Sequence, residues 1–207
     1  MINIDDQALI IKNFLPEELF KKITNFKYNK SKSSHKNWEE TLYKDDRKLD
    51  HTFPGSLTTP GRSKSRQIVT MKEVKFSNII ASIENGKIKS DNPIFEEFIK
   101  ILINCPSIPY QVNSRLVIVY YEYEKLSGIN WHDDGPYTLN YSFYIHNEWN
   151  LDWGGETLID TGRGLPLASY PHPNFLLAIK NGVKHKVCPV TGPKKRKVLQ
   201  IRGVFYE

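Results

Sequence analysis

The chain has 207 residues, enough for one domain with a substantial buried core, and nowhere in it do enough apolar residues run together to span a bilayer as a helix. Its 29 Lys and Arg against 23 Asp and Glu give a formal charge of +6, with basic clusters at Lys27–Lys36 and Lys194–Lys197; solvated surfaces carry such clusters more often than anion-binding faces do, so charge names no partner. Two cysteines, Cys105 and Cys188, exclude a disulfide framework and a Cys-rich metal site and read as reduced thiols; with no basic leader before an apolar stretch in MINIDDQALIIKNFLPEELF, the expectation is a cytoplasmic protein with no membrane association.

In chain order, LPEELFKKITNFK (15–27) has Pro at a helix start, acidic residues in its first turn and lysines after them, which predicts a helix. From Tyr28 to Arg66 the chain is polar and broken by Pro54-Gly55 and Pro60-Gly61, as a long loop or lid would be. RQIVTMKEV (66–74) reads as a strand, whereas SNIIASIEN (77–85) and NPIFEEFIKILIN (92–104) have the apolar spacing of helices, the second opening on Asn-Pro. After Pro109 the character turns to β. SRLVIVYYEY (114–123) is β-branched and aromatic, TLNYSFYIH (138–146) alternates, NFLLAIKNG (174–182) ends on Asn-Gly, and KVLQIRGVFY (197–206) is again strand-like. Short strands with helices confined to the first half predict an α+β, mainly β chain: a β-sandwich or jelly roll with helices on one sheet.

GINWHDDG (128–135) places chemistry at a strand end. Residues two apart in an extended segment face the same way, so His132 and Asp134 share one side and Asp133 takes the other. A metal needs a third ligand. Of the remaining histidines, His35, His51, His146, His172 and His185, only His185 opens a strand, in NGVKHKVCPV (181–190). Two histidines and one carboxylate leave open positions on Fe(II), as oxygen activation requires. Arg196 follows at the entrance to the last strand, where a fixed cation could hold the distal carboxylate of a dicarboxylate.

With these residues placed, the chain resembles the Fe(II)- and 2-oxoglutarate-dependent oxygenases of the prolyl 4-hydroxylase-like group from Arg115 to Tyr206, and more loosely across IIKNFLPEELFKKI (10–23). The resemblance is carried by YEKLSGINWHDD, FYIHNEW, WGGETLID, PHPNFLLAI and HKVCPV, with a basic residue opening the last strand. It implies a double-stranded β-helix (jelly roll) in one domain, 1–207, with 1–110 as helical support and lid and 111–207 as the catalytic core. It makes His132, Asp134 and His185 the iron ligands and Arg196 the partner of the 2-oxoglutarate C5 carboxylate. Tyr144 would bond the same carboxylate, and Tyr123 would be a second tyrosine on the cosubstrate side. The implied cofactors are Fe(II), 2-oxoglutarate and, as an auxiliary reductant, ascorbate. The implied partners are dioxygen and a primary substrate, either a peptide, with peptidyl proline foremost, or a small molecule. Its C–H bond would be hydroxylated as 2-oxoglutarate is converted to succinate and CO2.

The sequence departs from the group's pattern at three points. His146 stands where a Leu-Asn pair is usual, and two extra residues let Lys194, Lys195 and Arg196 compete for the carboxylate. The segment IRGVFYE also lacks the tryptophan common at the end. Arg196 is preferred for its planar fork and because alternation sets it on one face with Val198, Gln200 and Arg202. Arg202 lies about 20 Å further along the strand and is expected to matter little to the cosubstrate. Two alternatives stand beside this reading: an oxidative nucleic-acid dealkylase, for which Arg196 and Arg202 have the right spacing, and a non-enzymatic jelly-roll binding module.

Overall fold

The structure, a computed structural model, describes residues 2–4, 7–31, 74–108, 115–125, 127–134 and 139–204; most of the expected lid and the expected strand from Arg66 fall outside them. Helix α1 (Glu17–Thr24) starts behind Pro16 with Glu17 and Glu18 in its first turn and Lys21 and Lys22 in its last, so its charges oppose the helix dipole, and it buries Leu19 and Ile23. Helix α2 (Pro93–Ile103) is capped by the Asn92 side chain, which accepts from the Ile94 amide at 3.0 Å, and it turns Phe95, Phe98, Ile99 and Leu102 inward at helical spacing.

Both helices pack on one face of a large antiparallel sheet. Its strands are, in spatial order, β1 (Ile2–Ile4), β2 (Ala8–Ile11), β11 (Leu176–Ile179), β8 (Leu139–Tyr144), β13 (Arg196–Val204), β6 (Arg115–Tyr123), β4 (Val74–Glu84) and β3 (Lys30–Ser31), with β5 (Lys87–Ser90) paired to β4. A smaller sheet runs β10 (Leu167–Ser169), β9 (Thr157–Ile159), β12 (His185–Val187), β7 (Ile129–His132). Alternation divides each long strand between two cores. Ile118, Tyr120, Phe143, Leu199 and Ile201 face the helices, whereas Tyr123, Tyr144, Leu177 and Val198 face the small sheet, where they meet Ile159 and Val187. The chain is therefore mainly β, with large antiparallel sheets closed as a jelly roll and helices on the outer face of the larger one.

SNIIASIEN, expected as a helix, is the body of strand β4. The pairing of β4 with β6 shifts register between Phe76 and Ile79 and again between Ile79 and Ala81, and these irregularities break the two-residue period. The apolar residues then recur at intervals that imitate a helix. Pairing along β6 decides the outcome, because Ala81 and Ile83 bury fully against the helices from the strand conformation. The first half of the chain thus supplies strands as well as helices: β2 pairs with β11 and β4 with β6. Among the described residues no helix is long and apolar enough to cross a membrane.

Candidate metal centre

His132 ends β7 and His185 opens β12, and the antiparallel register sets the two residues directly opposite each other. Gly128 lets these strands meet: a Cβ there would lie 2.5 Å from the Val187 carbonyl oxygen. Asp134, two residues beyond His132, turns to the same side. Its Oδ1 lies 3.8 Å from His132 Nε2 and its Oδ2 3.1 Å from His185 Nε2, and one donor atom from each residue falls within 4.8 Å of the others. Asp133 is exposed. His185 Nδ1 is 3.0 Å from the Val183 carbonyl; with a cation bound, the ring would donate its proton there and turn the Nε2 lone pair to the ion in place of its bond to Asp134. Burial pushes the Asp134 carboxyl up, but the hydrogen bond from His185 and the charges of His185, His132 and Arg202 outweigh it and hold the group at about 2. Two imidazole nitrogens and one ionised carboxylate on one side of a point suit Fe(II) and leave its opposite side open.

The far end of the same inner face is built around Arg196, only 1% exposed. Its guanidinium carbon stands 4.7 Å from the Tyr123 ring centre and 5.1 Å from that of Tyr144, and Nη2 donates to Thr157 Oγ1 at 3.3 Å and to the Tyr144 hydroxyl at 3.5 Å. Tyr144 and Thr157 are themselves joined at 3.2 Å. Burial raises the Tyr123 hydroxyl to about 12, with Arg196 pulling the other way, so it remains a neutral donor. No carboxylate pairs with Arg196 among the described residues, and its Nε has no acceptor. Gly155 makes room for it, at φ 70°: a Cβ there would sit 3.2 Å from Arg196 Cδ and from Trp149 Cζ2. The two competing lysines are engaged elsewhere. Lys194 pairs with Glu148 at 3.4 Å, and Lys195 with Glu122 at 3.1 Å and Glu124 at 2.7 Å.

Between the two ends runs a chain of polar side chains that sequence reasoning did not assign. Asn140 donates its amide to Asp134 Oδ2, Gln200 donates to Asn140 Oδ1, and Ser142 donates to Gln200 Oε1 at 3.0 Å. Alternation back from Tyr144 along β8 would have found Ser142 and Asn140. Thr157 gave no signal beyond its place in WGGETLID. Arg202, expected to matter little to the cosubstrate, lies at the metal end: its Nη2 is 3.5 Å from Asp134 Oδ1, and its guanidinium lies 5.7 Å from the Tyr121 ring centre. His146 is 5% exposed and accepts from the Lys197 amide through Nδ1 at 3.4 Å. Burial, then Arg196 and Lys197, push its pKa well below the usual value, so it is neutral.

This architecture is the fold of prolyl 4-hydroxylases and other 2-oxoglutarate–Fe(II) oxygenases, and the chain carries a His-Asp-His triad at its open end. A prolyl 4-hydroxylase of Pseudomonas putida matches it over 95% of this chain and 91% of the other, at a TM-score of 0.56 and 14% identity. A prolyl hydroxylase of Trichoplax adhaerens, in complex with a hypoxia inducible factor oxygen degradation domain peptide, matches over 96% and 83%, at 0.55 and 15%. The viral collagen prolyl hydroxylase of Paramecium Bursaria Chlorella virus-1, in complex with 2-oxoglutarate, matches over 99% and 100%, at 0.52 and 11%. No family model and no curated protein matches the sequence. Identities this low establish the fold, and the functional argument falls to the residues.

Proposed function

We propose that the protein is an Fe(II)- and 2-oxoglutarate-dependent dioxygenase that hydroxylates an unactivated C–H bond and releases succinate and CO2. The observation that carries this reading is Arg196: a buried guanidinium bonded to the Tyr144 and Thr157 hydroxyls, stacked on the Tyr123 ring and lacking a carboxylate partner among the described residues. Burying an uncompensated charge is costly, so such a site selects a ligand that brings the anion. In this reading His132, Asp134 and His185 hold Fe(II), and Arg196, Tyr144 and Thr157 bind the C5 carboxylate of 2-oxoglutarate, with Tyr123 walling the same end. Bound iron supplies oxygen activation coupled to decarboxylation of the cosubstrate. The protein's own part is to fix Asp134 through Asn140 and Arg202, to orient the cosubstrate by its distal end, and to keep that end dry. A peptidyl proline is the substrate suggested by the likeness to prolyl hydroxylases, one of them solved with a peptide. Nothing in the described site or the comparisons supports ascorbate.

The test is anaerobic addition of Fe(II) and 2-oxoglutarate, which is expected to produce the visible charge-transfer band of the chelate. Asp133→Ala keeps the band and His132→Ala loses it. A wild-type protein without the band, or a His132→Ala protein that retains it, sinks the assignment. A second reading, oxidative nucleic-acid dealkylation, draws support from Arg202, which stands six residues after Arg196 and reaches the metal end of the same face. Formaldehyde release from methylated oligonucleotides would establish it.

A further inference from the structure

The small sheet brings one more hydroxyl to the Arg196 end. β10 pairs with β9 so that Ser169 stands directly opposite Thr157, and residues directly opposite in an antiparallel pair share a face. That face is the inner one, because Thr157 Oγ1 meets Arg196 Nη2 at 3.3 Å and the Tyr144 hydroxyl at 3.2 Å. Ser169 is 2% exposed, and its Oγ is buried with no hydrogen-bond partner among the described residues; Arg196 Nε is in the same condition. A buried hydroxyl without a partner costs stability until something brings it an acceptor. We propose that Ser169 is a specificity-determining residue for the cosubstrate, whose hydroxyl donates to the distal carboxylate of a 2-oxo diacid anchored at Arg196.

This role rests on the function proposed above, and the count of donors and acceptors supports it. Arg196 Nη2, the Tyr144 hydroxyl and Thr157 Oγ1 are already joined to one another, so part of the demand at this end is met within the protein. Ser169 Oγ and Arg196 Nε are left over. A carboxylate has two oxygens with about four acceptor sites, enough to take a bond from each. Neighbouring strands lie about 4.8 Å apart, so a carboxylate that touches Thr157 is within reach of the side chain opposite it. A 2-oxo acid that ends in a methyl group fills the same length but supplies no acceptor, and both donors then stay buried and unpaired. Sites built to hydrogen-bond a group reject the analogue lacking it far more strongly than a difference in shape allows. Ser169 therefore sharpens the demand for a dianion beyond what the guanidinium imposes alone.

The anaerobic charge-transfer band reports the test without turnover. Wild type, Ser169→Ala and Ser169→Cys are each loaded with Fe(II) and titrated with 2-oxoglutarate and with 2-oxovalerate, which shares the chelating end and chain length but has no distal carboxylate. Ser169→Ala should weaken 2-oxoglutarate about 10-fold or more and change 2-oxovalerate by less than about 2-fold. Ser169→Cys fills the space with a poor donor and should behave as Ser169→Ala does. Thermal melts without metal or cosubstrate supply a second readout: removing an unpaired buried hydroxyl should leave Tm unchanged or raise it. The proposal is overturned if Ser169→Ala binds 2-oxoglutarate like wild type, if it weakens both 2-oxo acids alike, if Ser169→Cys restores 2-oxoglutarate affinity, or if Ser169→Ala lowers the ligand-free Tm. Failure of the underlying reading looks different, because wild type then forms no band with either 2-oxo acid.

Discussion

Arg196 is the residue whose truncation separates the three basic side chains of GPKKRK. Removing one partner of a desolvated charge pair costs about 2–5 kcal/mol, so Arg196→Leu is expected to raise the 2-oxoglutarate concentration for half-saturation roughly 30-fold or more. Lys194→Ala and Lys195→Ala remove cations that pair on the outside and should change it by only a few-fold; titration of the band measures all three. His146 gives a prediction in pH. Its folded pKa lies well below 6.5, so as pH falls through 6.5 the unfolded chain takes up a proton that the folded chain refuses. Stability should therefore decline with falling pH by about 1.4 kcal/mol per unit from this group, a slope that His146→Asn removes in denaturant melts between pH 7 and 5. Equal slopes in the two proteins would count against the neutral assignment. At this scale the sequence was most legible where side-chain period alone decides: His132 and Asp134 two apart, and Arg196 in phase with Gln200 and Arg202. Asn140, Gln200 and Thr157 were not legible, because their contacts join strands whose registry no local pattern states.

The element that brings the ligands together is the β7–β12 seam, and Gly128 is its narrow point. Any Cβ there strikes the β12 backbone, which cannot swing aside as a side chain would. Gly128→Ala should cost about 1–3 kcal/mol of stability, as overpacking does, and should weaken metal binding more than a surface substitution of equal cost. Thermal melts with and without Mn(II) measure both, and intact binding in a destabilised variant would show that the seam does not set the ligand spacing. Helix α2 was legible because Asn92-Pro93 and four inward residues agree on one conformation. SNIIASIEN was not, because bulges disguised its period and only the neighbouring strand settles the choice.

Across the whole molecule, the two halves of the sequence interlock. The Leu15 amide donates to Asn174 Oδ1 at 2.9 Å and Asn174 Nδ2 donates to the Leu15 carbonyl at 2.9 Å, tying the approach to α1 to the edge of β11. The resemblance in IIKNFLPEELFKKI pointed to that opening strand and helix, but this pair of bonds is invisible from sequence. A ligand that binds only the folded chain should stabilise all of it together. On the Fe(II)-loaded chain, 2-oxoglutarate at a hundred times its dissociation constant should add about 2.7 kcal/mol, or roughly 5–10 °C in Tm for a chain of this size. Asp133→Ala should keep the anaerobic shift and Asp134→Ala should lose it.

Glu122, 1% exposed on the helix side of β6, accepts from the Tyr120 hydroxyl at 2.7 Å and from Lys195. Tyr120 in turn stacks on Tyr28 at 4.1 Å. A slip of β13 by one residue would exchange the sides of Lys195 and Arg196, setting an ammonium inside the site and a planar guanidinium where Glu122 and Glu124 now hold the Lys195 ammonium. The alignment of the last strand thus decides which cation is sealed inside the site and which is shared with the carboxylates on the opposite face of the sheet.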